Sequence, residues 1–522
     1  MIVSNSVQAN AARVVMLPPA RNQAAKGINI CGYLRDESGW GAAVRGYVRA
    51  LQARSIPITL LDLSDLSTNR SNDGTFNQFD TEHPFDLNLV CVDASQHFGM
   101  LARVGMNFFE ARYNIGAWAW ELPRFPGSWF NRFAYYDEIW VTTSFVANAL
   151  APVAPVPVVR IPPVLTPTGI GIRARGRAQL DVCDDEFVFL FIFDFHSHMQ
   201  RKNPLAAIDA FRRTFTPSDS VRLVLKCVNA DADPDGFALL QARARAHRIS
   251  IYEGYWSAQA MRDLMAACDA YVSLHRSEGT GLTITDALAQ GKPVIATGWS
   301  GNMDFMNVAN SFPVRYELMP IQQTVGPYHA GEMWAEPAIE HAAEQMRYVV
   351  ENPIEARGRG QAAQRDIELN YSEEKIAALI QMRLDAIAVR RNLDSFRVRT
   401  RRAYLEYQNL IGEIRRVVRD HIPPRATVIV VSKGDEELCK LGACIGWHFP
   451  QTRNGTYAGY HPADSNAAIA ELEALRARGG EFFLFPNTAF WWLEYYVAFA
   501  EYLETHHTRM WADESCIIYR LT

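Results

Sequence analysis

The sequence reads as an α/β protein: two domains built on parallel sheets, followed by a smaller α/β domain. Three observations predict this. Short apolar runs of strand length alternate with stretches of helical spacing along most of the chain. Two of the strand-to-helix junctions carry paired glycines, Gly39/Gly41 and Gly279/Gly281. Residues 187–193, Phe-Val-Phe-Leu-Phe-Ile-Phe, are apolar at every position, as a parallel strand covered on both faces requires. A length of 522 residues corresponds to about three domains at ~150 residues each.

Composition narrows the class. A 48% hydrophobic and 21% charged chain is ordinary for a globular protein, and a net charge of −5 gives no basic field for nucleic acid. The eight cysteines are scattered without a CxxC pair, which reads as reduced, mostly buried thiols. No apolar run reaches the ~18–20 residues of a membrane span. Residues 1–26 lack the basic start and apolar core of a secretory signal and read as a loose leader. The expected location is therefore the cytoplasm, with peripheral attachment to the inner face of the plasma membrane left open.

The first domain is expected over 27–165. Residues 28–33 form a strand, 35–41 a polar glycine-bearing loop, 42–54 a helix and 58–61 the next strand, a βαβ unit opened at a helix N-terminus. Residues 62–84 are polar and loop-like, and 85–92 are a buried strand. Residues 114–123 end in a Trp120-Glu121-Leu122-Pro123 corner. Strand 138–144 runs into 145–150, and 156–161 with two prolines closes the domain. Trp118, Trp120 and Glu121 lie at a strand's carboxyl end, where open α/β sheets place ligands. A Trp-rich core corner fits the same residues equally well.

The second domain is expected over 166–389, entered through a linker at 163–183. After strand 187–193 comes Asp-Phe-His-Ser-His-Met-Gln-Arg201-Lys202-Asn-Pro and a helix over 205–215. Two adjacent cations at such a junction suit a diphosphate, Arg201 as a fork and Lys202 as a point charge, although Arg201 could also face solvent. His196 and His198 share a strand face but lack a third metal ligand, so no metal is expected. Lys226, after the apolar run 223–225, either lines the cleft or, on the plainer reading, is a solvated strand end. Ser257 caps a helix over 258–268, after a turn whose Tyr255 and Trp256 could stack on a ring or equally be core.

Residues 270–274 are a buried strand that Ser277-Glu278-Gly279-Thr280-Gly281 cannot continue. A helix follows from Leu282 until Gly291 stops it, and 292–297 are the next strand. A helix N-terminus after a glycine loop presents free N–H groups and a positive dipole end to a phosphate. Glu278 and Asp286, eight residues apart, are acceptor-only when ionised and suit sugar hydroxyls. The loop alone is equally an ordinary junction bearing a surface acid. Residues 316–337 read as loop, 337–351 and 354–371 as helices. Residues 390–425 form a polar helical connector with mixed charges, or an oligomerisation or membrane-surface helix. Residues 426–522 form the small α/β domain, with aromatic loops at 447–450 and 457–460 offering faces to a sugar.

Glu-Gly-Thr-Gly-Leu-Thr-Ile-Thr-Asp-Ala-Leu-Ala-Gln-Gly-Lys-Pro-Val-Ile-Ala-Thr, from Glu278 to Thr297, resembles the nucleotide-sugar site of the retaining glycosyltransferases of family 4. Glu278 and Asp286 stand at the two acidic positions of that family's Glu-x7-Glu motif, with Asp286 shorter by one methylene and Thr280 where an aromatic is usual. Arg201-Lys202-Asn203-Pro204 resembles its phosphate-binding segment, and Gly39 and Gly41 match the loop that faces the donor diphosphate across the cleft. The resemblance covers about 27–389 and implies the GT-B fold, two Rossmann-like domains facing across a cleft. It implies hexose transfer from a nucleoside-diphosphate sugar to a hydroxyl of a saccharide or lipid-linked acceptor, with retention and without a cofactor. Glu278, Lys202 and Arg201 would be catalytic. Gly39, Gly41, Arg201, Lys202, Glu278, Gly279, Thr280, Gly281, Leu282 and Asp286 would hold the donor, and Trp120 and Glu121 the acceptor or sugar side. The last domain resembles small domains appended to bacterial surface-polysaccharide glycosyltransferases and methyltransferases, which points to polysaccharide biosynthesis. Rival readings are a GT-B nucleotide-sugar epimerase and a non-catalytic sugar-binding or scaffolding protein.

Overall fold

The computed structural model describes residues 27–167, 169–245, 247–393 and 395–522, so the leader over 1–26 lies outside the described residues. The chain forms two compact units that divide between residues 393 and 394. Each is described by itself.

The first unit holds two six-stranded sheets, each parallel throughout. The first contains β1 (Ile28–Gly32), β2 (Ile58–Asp62), β3 (Leu87–Cys91), β4 (Tyr113–Trp118), β5 (Glu138–Val141) and β6 (Val158–Arg160), in the order β2-β1-β3-β4-β5-β6. The second contains β7 (Phe187–Asp194), β8 (Val221–Val228), β9 (Ile249–Glu253), β10 (Ala270–Ser273), β11 (Val294–Thr297) and β12 (Phe312–Val314), ordered β12-β11-β10-β7-β8-β9. In the second sheet β7 neighbours β10, and the chain winds away from that pair in both directions. In the first, β1 between β2 and β3 plays the same part. A crevice opens at the carboxyl ends of the strands where the winding reverses. Segments 195–202 and 274–282 therefore meet at the second domain's crevice, and segments 33–40 and 92–96 at the first's.

The all-apolar run 187–193 is the strand it reads as, paired on both edges in the middle of its sheet. Ser257 caps the helix Ala258–Ala267 through Ala260 N–H. Several readings are corrected. The first helix runs Gly39–Ala53, capped by Ser38, so both glycines belong to its first turn and not to a loop before it. The linker over 163–183 contains the helix Arg173–Leu180. This helix has no apolar residue larger than alanine except Leu180, which joins the second domain's core. It packs by close approach: a Cβ on Gly176 would lie 2.0 Å from Asp263 O, and Arg175 pairs with the Asp263 carboxylate. The stretch over 316–337 is an antiparallel hairpin of β13 (Tyr316–Pro320) and β14 (Met333–Pro337). The helix Glu373–Leu393 returns to the first domain, where Ile376, Ala377, Ile380 and Ile387 join its core.

The second unit has a five-stranded sheet of β15 (Thr427–Val430), β16 (Ile445–His448), β17 (Phe482–Pro486), β18 (Thr508–Ala512) and β19 (Cys516–Arg520), in the order β16-β15-β17-β19-β18. Trp447 and His448, read as loop, belong to the edge strand β16. The helix Ser395–His421 is more than a connector: Leu410, Ile411, Ile414, Val417 and Val418 build one face of this unit's core with Val428, Val430, Leu484 and Ile518. Among the described residues no helix is long and apolar enough to cross a membrane.

Candidate active site

The second domain's crevice brings together two segments that are far apart in sequence. The short helix Met199–Lys202 follows β7, and the loop Leu274–Gly281 follows β10. Lys202 Nζ lies 2.5 Å from Glu278 Oε1, and Arg201 Nη1 lies 3.3 Å from Glu278 Oε2. Arg201 is buried. It also donates to Ser277 O at 2.8 Å and faces the Tyr328 ring. Burial opposes the Glu278 charge, but Lys202 and Arg201 override it and hold the carboxyl down at about 2. Burial likewise works against Arg201, yet Tyr328, Glu278 and Glu121 raise its pKa. Lys202 goes the other way, lowered by burial in spite of Glu278.

The Leu282–Ala289 helix begins at Gly281, whose φ of +78° suits glycine. Its first turn faces the first turn of the Gly39–Ala53 helix across the cleft: a Cβ on Gly39 would lie 3.0 Å from Leu282 Cδ1. Two helix N-termini thus converge on one space, and both present positive dipole ends to it. Gly41 plays a different part. A Cβ there would meet Asp36 O at 2.3 Å, so this glycine lets the preceding turn fold back on the helix.

Gly279 and Thr280 serve the domain contact. A Cβ on Gly279 would lie 2.9 Å from Trp120 O, Thr143 Oγ1 donates to Gly279 O at 2.7 Å, and the Thr280 hydroxyl bonds Thr142 at 2.6 Å. Thr280, at the position usually aromatic, is thereby used between domains. Asp286 is exposed to the cleft, and no side chain among the described residues hydrogen-bonds its carboxylate. The surrounding protein still desolvates it enough to raise its carboxyl to about 6.

On the first domain's side, Glu121 faces this cluster. Its Oε2 accepts from Tyr328 Oη at 3.0 Å, its backbone carbonyl accepts from Ser277 Oγ, and its Oε1 lies 4.0 Å from Arg201 Nη2. Trp120 is placed differently from the sequence expectation. It is 2% exposed, donates its Nε1–H to Arg124 O at 2.7 Å and packs on Phe125, Trp129 and Tyr328, so its ring has no face left for a sugar. Lys226 is also internal, bonded to the carbonyls of Cys227 and Gly254. His196 bonds Asn69 while His198 lies against Tyr328. Among the described residues no group of three or more His, Cys, Asp or Glu could hold a metal ion.

Two residues of the cleft escape the sequence reading. Tyr328 comes from the arm between β13 and β14, for which no periodicity exists. Asp93 follows β3 at the first domain's crevice, a position the carboxyl-end rule does point to. Burial, reinforced by the Glu121 charge, raises its carboxyl to about 7, although the Ala119 backbone N–H bonds it.

Residues 186–312 match the family model described as glycosyl transferases group 1. No curated protein matches the chain. Among solved structures, sucrose-phosphate synthase from Thermosynechococcus elongatus is 15% identical with a TM-score of 0.51, over 70% of this chain and 100% of its own. The Anabaena protein HepE in complex with UDP and glucose is 15% identical with a TM-score of 0.49, over 69% and 100%. A glycosyltransferase from Rickettsia africae is 14% identical with a TM-score of 0.48, over 70% and 99%. The first unit has the GT-B architecture of two Rossmann-like domains across a cleft. This fold and the matched segment together support a glycosyltransferase.

Proposed function

We propose that the first unit transfers a hexose from a nucleoside-diphosphate sugar to a hydroxyl of a saccharide or glycolipid acceptor, with retention at the anomeric carbon. The observation that carries this reading is the convergence of two helix N-termini beside Arg201, Lys202 and Glu278. When the bond from the sugar to the diphosphate breaks, negative charge grows on the leaving phosphate and positive charge on the sugar. Lys202, Arg201 and the amides of both helix starts neutralise the first in a closed cleft. Glu278, kept ionised, accepts hydrogen bonds from the donor sugar. The leaving phosphate oxygen takes the proton of the acceptor hydroxyl as that hydroxyl attacks from the same face, so no enzymatic nucleophile enters the scheme. Eight free cysteines fit a reducing, cytoplasmic setting, and the resemblance of the second unit suggests surface-polysaccharide synthesis.

The test is a panel of UDP-, GDP-, ADP- and TDP-sugars scored by thermal shift and by slow hydrolysis. One donor should raise the melting temperature and be hydrolysed, and Glu278→Gln should lower that turnover by about 10²-fold or more. If no nucleotide sugar moves the melting curve, the cleft is not a donor site.

Asp286 is assigned to the ribose diol, and its raised pKa makes the assignment testable. The ionised carboxylate accepts at both oxygens and is the stronger acceptor, so its contribution is full above about pH 6 and weakens as pH falls through that value. Titration calorimetry with the nucleotide should show affinity declining below this pH, and Asp286→Asn should flatten the decline. An unchanged profile in the variant would remove Asp286 from the site.

A further inference from the structure

The second unit carries a cluster of its own at the carboxyl ends of its parallel strands. Ser432 lies two residues past β15, and His448 ends β16 beside Val430. Ser432 Oγ is 2.6 Å from His448 Nδ1, and His448 Nε2 is 3.2 Å from Glu436 Oε1. Ser432 and His448 are 1% and 5% exposed, whereas Glu436 reaches solvent. With its proton on Nε2, donated to Glu436, the imidazole leaves Nδ1 free to accept from the Ser432 hydroxyl. A nucleophile bonded to a base that is itself oriented by a carboxylate is the arrangement of nucleophilic catalysis.

The surroundings support a site more than a plain polar filler. The turn after Ser432 puts Lys433 at φ +51° and Gly434 at φ +87°, and Gly434 N–H donates to Ser432 Oγ at 3.3 Å. Lys433 Nζ donates to Thr488 O at 2.9 Å, tying the loop after β15 to the loop after β17, where the winding of this sheet reverses. Tyr457, bridged to Gln451, lies tilted beside His448 at 6.4 Å between ring centroids and against Gly434. Gln451 Oε1, on the residue bridged to Tyr457, is buried and has no hydrogen-bond partner among the described residues. An unsatisfied buried group of this kind calls for an explanation, and a ligand supplies one. The Cys439 thiol, 3.4 Å from the same His448 nitrogen, is the competing nucleophile. Burial raises its pKa to about 12, which disfavours the thiolate.

We propose that Ser432, His448 and Glu436 form a second catalytic site, acting on a carboxylic ester. Ser432 Oγ bonds to the acyl carbon as its proton passes to His448 Nδ1. The ester C–O bond breaks, and the departing alcohol oxygen takes that proton. Water then attacks the acyl-serine, its proton again passes through His448, and the acid leaves with Ser432 restored.

The experiment uses the full chain with a fluorophosphonate probe and p-nitrophenyl acetate. Intact mass should show one covalent adduct, mapped by peptide digestion to Ser432. Ser432→Ala should abolish labelling and lower ester hydrolysis at least tenfold, and His448→Gln should slow labelling by a similar factor. Cys439→Ala, an equally small change in the same pocket, should label at the wild-type rate, which separates lost chemistry from lost folding. An unlabelled wild type, an adduct elsewhere, or labelling that survives Ser432→Ala would overturn the proposal. So would labelling that disappears with Cys439→Ala.

Discussion

Replacing Lys202 with alanine should lower kcat/KM for the nucleotide-sugar donor by about 10²–10³, the loss expected when one preorganised charge is taken from a developing anion. The geometry argues for an effect on catalysis with little effect on folding. Lys202 is half of a two-cation clamp on Glu278, and Arg201 keeps the other oxygen at 3.3 Å when the lysine is gone. Glu278 is therefore not left as a buried, unpaired carboxylate, and the melting temperature should fall only slightly. The pair also sets a pH window. With the Glu278 carboxyl held at about 2, its stabilisation is complete above the ordinary carboxylate range and is lost as pH falls toward 2. Turnover on the Glu278 side should thus be insensitive to pH near neutrality. Initial rates and donor-induced thermal shifts, measured side by side, decide the matter. A variant that melts lower but turns over normally would make Lys202 a structural partner of Glu278 and send the diphosphate elsewhere.

Arg383→Ala should produce the largest loss of stability, about 3–5 kcal/mol, the usual consequence of removing one partner from a buried ion pair. Glu138 is completely buried at the start of β5 and pairs with Arg383 from the helix Glu373–Leu393. Trp140 Nε1 and Tyr113 Oη also donate to it, at 2.6 and 2.9 Å. Those neutral donors cannot balance a full charge in a desolvated site, so without Arg383 the carboxylate must be protonated or exposed. The helix that carries Arg383 is also the one that seals the first domain's core, so the loss should spread to Ile376, Ile380 and Ile387. Urea unfolding followed by tryptophan fluorescence is well placed, because Trp140 touches Glu138 directly. The double variant Glu138→Gln with Arg383→Ala should recover much of the loss. A shift below about 1 kcal/mol for Arg383→Ala alone would mean that the pair behaves like an exposed one.

Much of the second domain was legible because its elements obey local rules. A run with no polar residue over 187–193 has to be a covered strand, Ser257 is a good cap, and Gly281 takes a backbone angle that other residues avoid. Elements stabilised by contacts distant in sequence were not legible. The helix Arg173–Leu180 contributes Leu180 alone to the core and otherwise packs closely because Gly176 lets it lie on Asp263. The hairpin of β13 and β14 shows exposed side chains along β13 and no clean alternation. Tyr328, which it carries into the cleft, had no signal at all. Trp120 illustrates the opposite error: its position at a strand end was read correctly, but whether its ring met a ligand or the core depended on Phe125, Trp129 and Tyr328.

The amino-acid sequence by itself determined the alternation of strands and helices and the chemical types at the site. Glycine, acid and adjacent cations stand at junctions where strands give way to helices, and such junctions are local. The tertiary structure alone decided which of these residues share a space. Arg201 and Lys202 reach Glu278 because β7 and β10 are neighbours at the point where the winding reverses. Gly39 meets Leu282, while Gly41 does not, because the two domains close on opposed helix ends. Strand order and domain closure follow from burying every apolar face at once, and no window along the chain contains that sum.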